Sequence, residues 1–402
     1  MTYDVSRIRA LFPSLDSGWA HFDGPGGTQT PRSVGEAIAS ALTGPLSNRG
    51  TVAESERNAE ESVTGFRGAM AELLGADPRG IVQGRSATQL AYDFAKHLSR
   101  DWGPGDEVVV TRLDHDSNIR PWLQAAERTG ATVCWIDLDP ASGELVDAAA
   151  AITERTRLVA VTAASNLIGT MPDVAGIAAA AHAAGALVWV DGVHATAHEL
   201  PDLATLGADF FVCSPYKFLG PHCGVLAADP ALLESIHPEK LLPSTDAVPE
   251  RFEFGTLPYE LLAGATAAVD VLAGLDPDAT GSRRQRLAIS YAALHAHEEA
   301  LRIRIEQALA ELPGTTVWSR AGRRTPTLLA TFESVDARAV YEGLAGRKVL
   351  APAGSFYALE ASRRLGLGDA GGLRIGLAPY SDDSDVDRLI AGLRELVPQK
   401  RP

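Results

Sequence analysis

Between Gly80 and Ala227 the chain repeats one unit: a short, largely apolar run, then a longer alanine-rich stretch with helical spacing. The runs are Gly80–Gln83, Glu107–Thr111, Ala131–Ile136, Leu158–Thr162, Ala186–Asp191, Asp209–Cys213 and Gly224–Ala227. A strand with one wet face alternates polar and apolar residues. These do not, so both of their faces must be covered. Most gaps between them, such as Ala87–Asp101, Ile119–Thr129 and Val174–Ala184, are long enough for the crossover helices that parallel strands require. The runs therefore predict an α/β domain around a mostly parallel seven-stranded sheet. The link from Phe211 to Val225 is too short for a crossover helix and predicts that the last strand is antiparallel.

After Thr256 the pattern changes. Helical spacing covers Leu261–Ala273 and Arg283–Glu311, strand patterns cover Thr327–Thr331 and Leu373–Leu377, and Asp385–Leu396 reads as an amphipathic helix. A smaller α+β domain, joined through the long helix, accounts for this. Leu275–Thr280, with Pro277 and the following Gly281, marks the boundary. The large domain is expected over residues 20–275, and the small one over 276–402 together with residues 1–19.

The net charge of −15 argues against general affinity for nucleic acid or anionic membranes, yet leaves room for a small anion held by local donors. The most apolar stretch, Ile177 to Val190, is interrupted by His182 and Gly185 and reads as a helix running into a strand, not a membrane span. Asp4, Arg7 and Arg9 leave no apolar secretory segment at the N-terminus. Cys134, Cys213 and Cys223 are odd in number and widely spaced, which suits reduced buried thiols in a cytoplasmic protein. His198 and His222 lack companions at zinc-like spacing, so no metal is expected.

Ligands of open α/β sheets bind beyond the carboxyl ends of the strands. Here one strand ends in Asp191, another in Ser214-Pro215-Tyr216-Lys217, and a third leads into Ser165-Asn166. An acid and a lysine so placed suit pyridoxal 5'-phosphate. The amine condenses with the aldehyde and handles the substrate α-proton, while the acid keeps the pyridine nitrogen protonated. The phosphate needs backbone N–H groups at a helix start and nearby hydroxyls. Arg85-Ser86-Ala87-Thr88, opening a helix after a strand, supplies them.

The stretches SNLIGT (165–170), VDGVHATAH (190–198) and GADFFVCSPYKFLGPHCGVL (207–226) resemble the core of the class V aminotransferase family of fold type I pyridoxal-phosphate enzymes, in its cysteine desulfurase-like branch. HFDGPGGTQTP, DHDSN (114–118), RFEFGT (251–256) and LRIGLAPY extend the resemblance collinearly over nearly the whole chain. It implies Lys217 as the Schiff-base lysine, Asp191 as partner of the pyridinium, His115 stacked on the ring and His194 close to the ring hydroxyl. Ser86, Ala87, Thr88, Ser214 and Tyr216 would hold the phosphate, and Thr256 would reach the phosphate of a neighbouring subunit in a homodimer. Arg374 and Asn166 would bind the carboxylate of an amino-acid substrate, with Gly27 and Thr28 on a loop closing nearby.

One segment departs from the desulfurase pattern. The family carries its persulfide cysteine on a loop shortly before the arginine strand, but LAPAGSFYALE (350–360) contains none. Ser355, Phe356 and Tyr357 stand there, with Tyr357 a candidate for contacting substrate. The resemblance then implies a C–S (or C–Se) β-lyase working without a protein persulfide. The alternatives are an aminotransferase or epimerase of the same family, or carbon–carbon cleavage of the kynureninase kind.

Overall fold

A computed structural model describes residues 3–397. The chain enters through a two-residue strand, β1 (Ala20–His21). The large sheet follows: β2 (Ile81–Gly84), β3 (Glu107–Thr111), β4 (Thr132–Leu138), β5 (Leu145–Val146), β6 (Thr156–Thr162), β7 (Leu187–Asp191), β8 (Phe210–Cys213) and β9 (Gly224–Ala228). Its order is β2-β9-β8-β7-β6-β3-β4-β5. All seven expected strands are present. The eighth, β5, is a two-residue antiparallel edge on β4. Strands β4, β3, β6, β7 and β8 are parallel, and β9 runs antiparallel to both β8 and β2, as the short link demanded.

Alternate residues of each strand feed opposite layers, which is why the runs carry no polar period. In β6, Val159 and Val161 pack into one buried layer while Leu158 and Ala160 pack into the other. In β3, Val109 faces the first layer and Val108 and Val110 the second.

A second sheet, ordered β10-β11-β14-β13, forms from β10 (Thr315–Val317), β11 (Thr327–Phe332), β13 (Ala353–Gly354) and β14 (Gly372–Gly376). Strand β12 (Val349–Leu350) pairs with β1, and Ala20 and Phe22 bury themselves among the apolar residues around this second sheet. Ile8 and Phe12, by contrast, pack into the core of the large sheet. The helix Arg283–Ala310 joins the two bodies: Leu287, Tyr291 and Leu294 belong to the large core, and Leu301, Ile305 and Leu309 to the small one. At 28 residues it is about 42 Å long, enough to span both. Among the described residues no helix is long and apolar enough to cross a membrane.

Candidate active site

The carboxyl ends of β6, β7 and β8 and the start of the helix Ala87–Leu98 surround a cavity of about 590 Å³ with a deeper lobe of about 80 Å³. The smaller body closes it, contributing Phe356 and Tyr357 from a loop and Arg374 from β14. Register sets the arrangement at its base. Asp191 pairs with Val212, so the following Ser214–Lys217 segment turns over the sheet edge beside the carboxylate. That segment is a 3₁₀ turn opened by Pro215, which fixes φ at its first position.

Lys217 is largely enclosed, and burial pulls its amine down from 10.5 to about 7; Arg374 pushes the same way, while Asp191 and Asp23 oppose. Its ammonium donates to the carbonyl of Pro25 and lies 4.9 Å from the Tyr216 ring centroid. Asp191 is 6% exposed and accepts a hydrogen bond from the Val193 N–H at 2.9 Å. Desolvation raises its pKa from 3.8 to about 6, against the opposing pull of that hydrogen bond and of Lys217. A buried carboxylate raised in this way is short of a cationic partner.

His115 caps its own turn: Nδ1 accepts from the Ser117 N–H at 3.1 Å. Burial first, then Lys217, lowers the imidazole to about 4, so it is a neutral ring at physiological pH. Beneath it Asp114 is fully buried, receiving hydrogen bonds from the Thr111 hydroxyl and, at 2.6 Å, from the Asn118 amide. Burial carries Asp114 up to about 8.

Ser86 is the N-cap of the helix Ala87–Leu98, its hydroxyl accepting from Gln89 N–H at 3.0 Å. The first-turn N–H groups of Ala87 and Thr88 have no acceptor within a helix of this geometry. Ser86, Ala87, Thr88, Ser214 and Tyr216 all line the deep lobe. Gly224 lets this turn approach β9: an added Cβ would sit 2.4 Å from the Ser86 carbonyl carbon.

Arg374 is 2% exposed on β14, and burial lowers its guanidinium from 12.5 to about 9. Nη1 donates to the Asn166 carbonyl at 3.0 Å, and its central carbon lies 3.6 Å from the Phe356 ring centroid. Nε of Arg374 and Oδ1 of Asn166 are buried without partners. Unsatisfied groups of this kind mark a site completed by something outside the chain.

His194 lines the deep lobe, but its Nε2 is engaged by the hydroxyls of Thr325 (2.9 Å) and Thr327 (3.0 Å). Gly27 and Thr28 stand behind the wall. Thr28 N–H donates to the Tyr216 carbonyl at 3.0 Å, and the Thr28 hydroxyl accepts from Leu219 N–H at 2.8 Å. Their neighbours Pro25 and Gly26 face the cavity instead. Thr256 is exposed and lies outside this cavity. Tyr92, Asp116 and Arg120 line it without having been expected. Tyr92 had a signal: it lies one helical turn after Thr88 and shares its face.

The model of the family described as "Aminotransferase class-V" matches residues 20–389. The chain belongs to the class V aminotransferase family. It is 35% identical over 98% of its length to the uncharacterized protein MT3887 of Mycobacterium tuberculosis, all of which is covered. It is 30% identical to the cysteine desulfurase CsdA of Escherichia coli, over 96% of each chain. The crystal structure of CsdA, in its S-sulfonic acid form, superposes with a TM-score of 0.86 at 28% identity, covering 98% of this chain and 99% of that one. The fold is therefore that of fold type I enzymes, and a class V aminotransferase of this kind is a pyridoxal-phosphate-dependent enzyme. The donor set fits that group: a lysine with a readily released proton, a buried acid short of a cation, a neutral imidazole and a helix N-terminus with hydroxyls.

Proposed function

We propose that this protein is a β-lyase that cleaves the C–S (or C–Se) bond of a cysteine-derived amino acid without forming a persulfide on itself. The observation that carries this reading concerns its thiols. Cys134, Cys213 and Cys223 are absent from the cavity lining, and the loop over it presents Phe356 and Tyr357. Burial also raises all three thiols, Cys223 to about 12, so none offers a ready thiolate.

Pyridoxal 5'-phosphate, when bound, supplies an electron sink that acidifies the α-carbon of an amino acid. Lys217, Asp191 and His115 would hold its carbon, ring nitrogen and ring face, with His194 near the ring hydroxyl. Ser86, Ala87, Thr88, Ser214 and Tyr216 would take its phosphate. Thr256 would serve the phosphate of a second copy, making the working unit a homodimer.

Arg374 and Asn166 orient the substrate carboxylate, the guanidinium by its in-plane N–H groups. Near neutral pH the Lys217 amine is poised between its two protonation states, which suits it to accept the α-proton. The electron pair freed at Cα forms the Cα–Cβ double bond as the Cβ–S bond breaks, and the sulfur leaves as a thiol after gaining a proton. The enamine product hydrolyses in water to pyruvate and ammonia.

The test is incubation of the cofactor-loaded protein with cysteine, cysteine conjugates and sulfoxides, selenocysteine, alanine and kynurenine. Pyruvate, ammonia and thiol in equal amounts from a cysteine derivative support the reading. Conversion of the cofactor to its amine form without those products replaces it with transamination.

A further inference from the structure

Phe356 and Tyr357 are the one consecutive pair of non-glycine residues with positive φ among the described residues, at 51° and 60°. That region costs an L-residue roughly 1 kcal/mol or more. The large body holds the strained loop in place: Asn166 Nδ2 donates to the Phe356 carbonyl at 2.9 Å, and Asp116 N–H donates to the Tyr357 carbonyl at 2.7 Å. The two side chains are then set differently. Phe356 sits against one face of the Arg374 guanidinium, its ring centroid 3.6 Å from the central carbon, while Nη1 donates to the Asn166 carbonyl and Nε keeps no partner. Tyr357 is 73% exposed at the cavity mouth, its ring 5.4 Å from that of His115 and inclined by 32°.

An exposed aromatic ring on a strained backbone at the cavity mouth is placed to be covered by a ligand that enters the cavity. Tyr92 supplies a further aromatic wall, and the nearby charges of Arg120 and Asp116 neutralise each other at 2.8 Å. The mouth is thus aromatic and locally balanced in charge.

We infer that Phe356 and Tyr357 are specificity-determining residues that select α-amino acids bearing an aromatic or extended apolar group beyond Cβ. For the lyase reaction this means an S-aryl or S-alkyl conjugate of cysteine, and the inference rests on the reading of Arg374 as the carboxylate site. Phe356 fixes the plane of the guanidinium, so the substrate carboxylate enters along its edge and the side chain turns toward Tyr357.

The test is a titration of the cofactor-loaded protein with L-phenylalanine and L-alanine, followed by the cofactor's absorbance. Neither carries a leaving group at Cβ, so binding is read apart from elimination. Phenylalanine is expected to bind roughly tenfold more tightly or better. Tyr357→Gly accepts positive φ without strain, so the loop keeps its path. In that variant the preference falls to about twofold or less. Equal affinities in the unaltered protein, or an undiminished preference in Tyr357→Gly, overturn the inference. Failure of both amino acids and of cysteine to perturb a normally absorbing cofactor removes the amino-acid reading along with it. A retained preference with no pyruvate from S-phenyl-cysteine removes the lyase reading and leaves the selectivity standing.

Discussion

Asp191 and Lys217 each oppose the effect of burial on the other: the carboxylate favours the charged amine, and the amine favours the charged carboxylate. Burial prevails at both. The result is an acid near 6 and an amine near 7, both titrating close to neutrality at the end of one sheet.

Replacing Lys217 by alanine removes the group expected to hold the cofactor and to move the α-proton. The visible absorbance of the loaded protein should disappear, and turnover should fall roughly 10²- to 10⁴-fold or more. Spectra before and after gel filtration with added pyridoxal phosphate provide the check. An unchanged spectrum would displace Lys217 from the site.

Uptake of pyridoxal phosphate by the cofactor-free protein requires an unprotonated amine. With Lys217 near 7, the uptake rate should rise as pH increases through about 7 and level off above 8. An unperturbed lysine would still be accelerating at pH 9, so stopped-flow traces across that range separate the two cases.

Asp191→Asn should stabilise the cofactor-free protein while abolishing its use of the cofactor. The folded-state pKa is raised, so the native protein binds the proton more tightly. Stability then falls as pH rises from about 4 to about 6, and the full cost is present above both values. That cost is about 2 to 3 kcal/mol for a shift of this size, and asparagine removes it while still accepting from Val193 N–H. Urea melts of the cofactor-free proteins at pH 8 should place the variant above the parent.

Asp114 behaves alike at higher pH. Its folded-state pKa of about 8 lies above the unfolded value, so its contribution to stability declines between about pH 4 and pH 8. Asp114→Asn should flatten that decline, and activity at pH 7 should stay within a few-fold because the carboxyl is already neutral there. Melting temperatures from pH 5 to 9 test this. A parallel decline in both proteins would assign it to other groups.

Arg374→Ala should raise KM for carboxylate substrates by roughly 10²-fold and change kcat less, since the contact holds the ground state and the transition state alike. Steady-state kinetics decide. A normal KM would take Arg374 out of the carboxylate role.

The large sheet was legible in sequence because its central strands are buried on both faces, and such runs stand out against alanine-rich helices. Strands β1, β5 and β12 were not, since two residues carry no periodicity and their pairing is decided by tertiary contact. Lys217 and Asp191 were readable from their positions at strand ends. The hydroxyls of Thr325 and Thr327 on His194 were not, because they arrive from the other body and leave no local signal. The left-handed backbone at Phe356 and Tyr357 was equally hidden: left-handed turns are read from glycine and asparagine, and neither residue is either.

Strand β2 lies at the sheet edge, and its one partner is β9. Synthesis therefore delivers the Ser86 turn early but leaves it unsupported until residues 224–228 have left the ribosome, after Asp191 and Lys217. The turn proposed to take the phosphate is thus the last part of the large sheet to gain its strand neighbour.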